Sequence, residues 1–218
     1  MMELPRGELL EITLRTLAVC GAALAIALLI GLPLGIALGR RHFPGRALLV
    51  AIVNSGMGAP PVVVGLCAAL LLWRSGPLGG LGWMYTPKAM VAAQVVIALP
   101  LVIGITLAAV GSLADDWELQ VRALGVPARW RLWLLLREIR MGVLAAVIAA
   151  LGGILSEVGA VMMVGGNLAG ETRVLTTAIM MYTQMGAFEA AIGLAVVLLG
   201  LMAVLAGLLT AVQQSGRT

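Results

Sequence analysis

Residues 16–39 read TLAVCGAALAIALLIGLPLGIALG, without one charged side chain. A helix needs about 20 apolar residues to cross a hydrocarbon layer, and this run clears that length. Four more follow at roughly 47–73, 89–111, 141–164 and 188–212. Hydrophobic residues make up 61% of the 218 positions and charged residues 11%, where soluble domains carry about 25% charged residues. With a mean hydropathy of +1.09, a water-soluble fold of this size could not hide the apolar surface, so lipid must cover it. The runs are continuously apolar rather than alternating, which argues against a β-barrel. Pro33, Pro60, Pro61, Pro100, Gly152 and Gly153 interrupt them, as a helix bundle tolerates when neighbours re-satisfy the freed backbone groups. The expectation is a single all-α, polytopic membrane domain of about five spans covering residues 1–218. The leader MMELPRGELLEITLR mixes three Glu with two Arg, and the first run is too long for a signal-peptide core. It reads as a retained span.

Orientation follows from the basic residues. Arg40, Arg41 and Arg46 lie between the first two runs. Arg122, Arg129, Arg131, Arg137 and Arg140 lie between the third and fourth, and Arg217 in the tail. The other side receives Arg6, Arg15, Arg74, Lys88 and Arg173. The richer side should be cytoplasmic, placing the N-terminus outside and the C-terminus inside. The pI near 9.8 reflects this asymmetry and does not point to nucleic acid.

Enzymatic chemistry has little to stand on. There is no phosphate-binding G-x-x-x-x-G-K-[ST], no G-x-S-x-G and no H-E-x-x-H. The single histidine, His42, sits in the turn RRHFPGR, and Cys20 and Cys67 lie in apolar runs where free cysteine is commonly a small hydrophobe. Neither a catalytic group nor a metal site is expected, and any ATP and Mg must be handled by another chain.

The connection SLADDWELQVRALGVPARWRLWLLLREIR (112–140) is too long for a turn and too amphipathic for a linker. It reads as two short helices broken at Gly125, which can take φ > 0, with Pro127 suited to starting the second. One reading is an elbow gripped by a partner. The other is a helix pair lying on lipid, with Arg on headgroups and Trp in the interfacial belt.

This segment resembles the cytoplasmic loop of bacterial ABC-importer permeases, in which E-A-A, three residues and Gly are followed nine residues later by I-x-L-P. Gly125 takes the glycine position, with Ala123 and Leu124 before it and Leu135 at the Ile position. Leu119-Gln120-Val121 replaces E-A-A, and Arg137-Glu138 replaces L-P. NSGMGAPPVVVGL (54–66) and SEVGAVMMVGGNLAGETRVLTTAI (156–179) resemble the permeases of tungstate-uptake ABC transporters. The second also resembles the E-F-G-A segment of molybdate and sulfate permeases. The resemblance implies a homodimeric permease, cytoplasmic ATPase subunits and an extracytoplasmic binding protein. It also implies ATPase coupling through Ala123, Leu124, Gly125, Val126, Pro127 and Arg129. Its implied cargo is an inorganic oxyanion, tungstate first, with molybdate or sulfate as alternatives. An ion-coupled secondary transporter is the rival class, but only Glu157 is an intramembrane carboxylate and five spans do not halve into an inverted repeat.

Candidate pathway or gate residues are Asn54, Glu157, Thr172, Arg173, Thr176 and Thr177. A carboxylate repels an oxyanion, so Glu157 reads first as structural, bonded to backbone or paired with a cation such as Arg173, and second as a gate. Arg173 would draw anions, or only neutralise Glu157 or Glu171. Asn54 and Ser55 precede Pro60-Pro61, which should bend or break the second span. The run VLTTAIMMYTQM (174–185) is too short to span and reads as re-entrant or interfacial. Gly31, Gly35 and Gly39 suit close helix packing, within the protomer or across a dimer.

Overall fold

The computed structural model describes residues 6–114 and 116–215. Arg217 of the orientation argument lies outside the described residues. Ten α-helices and one short 3-10 helix (Gly79–Leu81) are found among them and no strand: α1 Arg6–Arg40, α2 Arg46–Met57, α3 Pro61–Leu72, α4 Pro87–Gly111 and α5 Trp117–Ala123. These are followed by α6 Ala128–Glu138, α7 Arg140–Ser156, α8 Gly159–Gly165, α9 Leu175–Gln184 and α10 Phe188–Ser215.

Three helices are long and apolar enough to cross a membrane unbroken, namely α1, α4 and α10. The other two expected crossings are divided. Between α2 and α3 the axis turns by 104°, because Pro60 and Pro61 have no N–H to continue the ladder. The run 141–164 is not one helix either. It ends as α7 at Ser156 and restarts as α8 at Gly159, and Glu157 between them is extended (φ −75°, ψ 127°).

The centre of the bundle is α4, packed against α1, α2, α3, α7 and α8. Its seam with α1 is set by the glycine ladder. A Cβ on Gly31, Gly35 or Gly39 would come within 2.7, 2.7 or 2.6 Å of Val102, Thr106 or Val110 respectively. Both rows advance by four residues, so one face of each helix meets the other, and both advance in the same sense, so α1 and α4 run parallel. The sequence left open whether this ladder serves the protomer or a dimer; it is consumed within the protomer.

That parallel seam puts the 40–46 turn and the 112–140 connection on one face, and Arg40 bonds Glu118 there at 2.8 Å. The N-terminal turns of α1 meet the 165–174 loop on the opposite face, where Arg15 donates to the carbonyls of Gly170 (2.7 Å) and Arg173 (3.2 Å). With both ends of α1 and α4 fixed in this way, α2 and α3 together make one return crossing despite their bend. Helix α10 buries Ala190, Ala191 and Leu194 of its first turns against Ile12, Leu175 and Tyr182, and further along Leu201, Met202 and Leu205 pack partly buried on α7. By contrast Val196, Leu199, Val204, Leu208 and Val212 are all more than half exposed, an apolar stripe that only lipid or another helix can cover.

Candidate functional site

The elbow is built as the sequence predicts. Helix α5 ends in a Schellman motif: Gly125 adopts φ +70°, its N–H donates to Arg122 O, and the Val126 N–H reaches back to Val121 O. Nothing lies within 4 Å of where a Gly125 Cβ would stand. The glycine is therefore required by backbone conformation and not by crowding. Arg131 braces the turn, its Nε donating to Val126 O at 2.9 Å. Pro127 takes the position before α6, extended at φ −59° and ψ 147°.

Apolar groups crowd the outside of this elbow. Leu124 is 80% exposed and Leu119 72%, and Ala123, Pro127 and Arg129 are exposed with them. Trp130 meets Trp133 edge to face, with Arg137 stacked over the Trp133 ring. Val126 is half-buried. The base, by contrast, is rooted in the bundle: buried Leu135 and Ile139 pack with Val110 of α4, and Ile36 and Val143 close the cluster. Glu118 adds a polar tie, held by Arg40 and Arg122. Its hydrogen bond from Arg40, then that from Arg122, holds this carboxyl below the usual Glu range. The base of the elbow thus packs on α4 and α7 and is tied to α1.

The second focus is the pair of breaks, which meet at α3 and α8. A Cβ on Gly65 would lie 2.5 Å from Ala160 Cα, and one on Gly159 would lie 2.7 Å from Val62. The two interrupted crossings thus touch where each restarts. Glu157 is buried at this junction, and its Oε1 accepts from the Ala160 N–H at 2.7 Å. The carboxylate occupies the start of α8, where backbone donors are otherwise orphaned and the helix dipole favours negative charge. Thr176 locks the same residue from the other side, its hydroxyl donating to Glu157 O at 3.0 Å.

The remaining candidates divide. Thr172 accepts from the Leu168 N–H and donates to Gly165 O, fully buried inside its own loop. Thr177, also fully buried, exchanges hydrogen bonds with Val174 at the start of α9. Arg173 does not pair with Glu157; it bonds Glu8 at 3.0 Å, a partner the sequence reading missed because it lies in the leader. Its Nε is buried without a partner. Asn54 and Ser55 are exposed on α2, a helix with no buried residue, immediately before the bend. Two further residues went unnoticed in the sequence: Thr16, whose hydroxyl accepts from the Leu175 N–H, and Gln94, which donates to the Ile154 carbonyl where α7 ends. Both are uncharged polar residues inside the apolar runs 16–39 and 89–111, and that was the available signal. Among the described residues no cluster of His, Cys, Asp or Glu could hold a metal ion.

Comparison with known proteins agrees with this architecture. The family model described as binding-protein-dependent transport system inner membrane component matches residues 31–217. A probable anion ABC transporter permease protein of Haloferax volcanii is 40% identical over 89% of this chain and 86% of its own. The tungstate uptake system permease protein TupB of Peptoclostridium acidaminophilum is 39% identical, over 83% and 79%. The molybdenum transport system permease protein ModB of Escherichia coli is 31% identical, over 73% and 74%. The chain belongs to the binding-protein-dependent inner membrane components, the multi-pass permease subunits of ABC importers.

Proposed function

We propose that this permease carries an inorganic oxyanion, tungstate first, into the cell as one half of a two-copy pore. The observation that carries the substrate is the 39% identity to a tungstate uptake permease across most of both chains. The relative named for molybdenum, and a sulfate permease CysW, are each matched at 31%, so those oxyanions form the second reading. As a permease of an ABC importer the chain works with an ATPase and a substrate-binding protein.

In this reading the elbow tip, from Ala123 through Arg129, seats in a cleft of the ATPase on the cytoplasmic side. The apolar tip supports that role, since Leu119, Leu124, Trp130 and Trp133 offer the aromatic and aliphatic anchors from which buried interface centres are built. The rooted base gives ATPase closure a route into α1, α4 and α7. The pathway runs beside the two broken helices, with Asn54 and Ser55 of each copy facing it. Glu157 and Thr176 hold the α8 junction, Thr172 and Thr177 hold the loop and helix that brace it, and Arg173 contributes its positive charge to the outer face. The nine basic residues counted on the elbow side in the sequence support a cytoplasmic placement of that side.

Transport by proteoliposomes containing all partner subunits, with tungstate, molybdate and sulfate in competition, tests the substrate. Tungstate should displace the other two; sulfate outcompeting tungstate would overturn the assignment. Cysteine labels near Ser75 and Arg129 should react from opposite sides, the second only from inside.

A further inference from the structure

Behind the elbow, a groove of about 820 Å³ separates the last three turns of α1 from α5 and α6. Leu28, Leu32 and Ile36 form its long wall, and Leu132 and Leu136 face them. From Leu28 to Arg40 the helix axis advances about 18 Å at roughly 1.5 Å per residue, slightly more than one leaflet of a hydrocarbon layer about 30 Å thick. The floor is apolar throughout that depth. The mouth is charged: among the described residues Arg40, Arg41 and Arg122 surround one carboxylate, that of Glu118. Glu118 is already bonded to Arg40 and Arg122, so the described residues of the mouth keep an excess of positive charge. Arg41 forms no ion pair among the described residues. A second groove, about 580 Å³, lies against Arg41 as well, walled by Leu34, Leu38 and Leu49.

We propose that this is a seat for one anionic phospholipid of the surrounding bilayer. Its phosphate sits between Arg41 and Arg122, one acyl chain fills the groove along Leu28, Leu32 and Ile36, and the other follows the smaller groove. Charge complementarity selects this occupant. A protein helix would not need a leaflet-deep apolar slot with guanidinium groups only at the mouth, and a zwitterionic lipid would leave the excess cations unmatched. Basic pockets beside spanning helices on the cytoplasmic side are suited to anionic headgroups. Under the orientation proposed above, the lipid belongs to the inner leaflet and wedges the elbow against α1.

The test is native mass spectrometry of the assembled transporter in mild detergent, with equal amounts of phosphatidylglycerol and phosphatidylcholine of matched chains. Wild type should retain phosphatidylglycerol over phosphatidylcholine by on the order of tenfold. Arg41→Gln with Arg122→Gln should bring the ratio close to one, whereas Arg41→Lys, which keeps the charge, should preserve most of it. Leu32→Trp, which fills the slot, should lower retention of both lipids. Equal retention of the two lipids by wild type, or an undiminished preference in the double Gln variant, overturns the proposal. So does a Leu32→Trp variant that sheds the ATPase while its lipid retention stays unchanged, since the slot would then belong to that subunit.

Discussion

Gly35 and Gly125 occupy the same chain for opposite physical reasons. Gly35 lies in a regular helix, and what it lacks is room: a Cβ would stand 2.7 Å from Thr106 Cβ and 2.9 Å from the Ile103 carbonyl oxygen. Gly125 has open space around it, and what it needs is a left-handed backbone at φ +70°. The first glycine holds two spanning helices together. The second shapes a protrusion whose apolar tip stands exposed, Leu119 and Leu124 above all. The difference separates residues that make the fold from residues that use it, and substitution at the two sites should fail in different ways.

The largest effect is expected at the seam. In Gly35→Leu the clash is with backbone as well as side chain, so α1 and α4 must move apart, at a cost of at least about 1–3 kcal/mol. Folded protein recovered from membranes should fall sharply, with a lower unfolding temperature in detergent. An unchanged unfolding temperature would show that the seam is not the close contact described here.

Glu157 comes next, at a site that belongs to the fold yet touches the proposed pathway. Glu157→Ala strips the Ala160 N–H of its acceptor, worth about 1–3 kcal/mol for a buried donor, and should lower thermal stability. Glu157→Gln keeps a carbonyl oxygen in place and should keep most of the stability and most of the transport. A Gln variant that is fully stable yet inert in transport would move Glu157 from brace to gate.

The smallest effect concerns the tie between elbow and bundle. Glu118 has its pKa lowered in the folded protein, so its contribution is complete above the ordinary Glu value near ~4.3. It is lost as the pH falls through the lower, folded value. The pair is substantially exposed, so the contribution is no more than about 1 kcal/mol. Wild type should therefore be slightly more stable than Glu118→Gln at pH 7 and at pH 5, with the two converging in stronger acid. A difference that grows on acidification would mean that the cations are not what holds the carboxylate.

How much of this was legible beforehand depends on how local each cause is. The five apolar runs were visible as continuous stretches, of which three form unbroken helices long enough to cross, and the bend after Met57 was visible because two prolines announce it. The break at Glu157 was not read, although Ser156 and Glu157 inside an apolar run, just ahead of Gly159, were a usable sign of a capped restart. The elbow was legible because its motif lies within a few residues: Gly125 ends one helix and Pro127 precedes the next. Partners distant in sequence were not. Arg173 finds Glu8 and Arg40 finds Glu118 only once the crossings are assembled, and the glycine ladder showed that something packs closely without naming α4. Thr172 and Thr177 looked like pathway hydroxyls because composition alone cannot show that a hydroxyl is committed to its neighbouring backbone.

The central claim is that the elbow is held in shape for a partner and not for the membrane surface. Gly125→Val tests it most directly, because a β-branched residue is strongly disfavoured at φ > 0 while insertion depends on apolar length. Gly125→Asn is the control, since Asn tolerates that backbone better. The measurement is capture of the ATPase by each variant, alongside ATP hydrolysis stimulated by substrate and binding protein. Gly125→Val should reach the membrane at the wild-type level, capture little ATPase and show no stimulation, with Gly125→Asn retaining much of both. A well-expressed Gly125→Val that binds and couples its ATPase as wild type does would contradict the account.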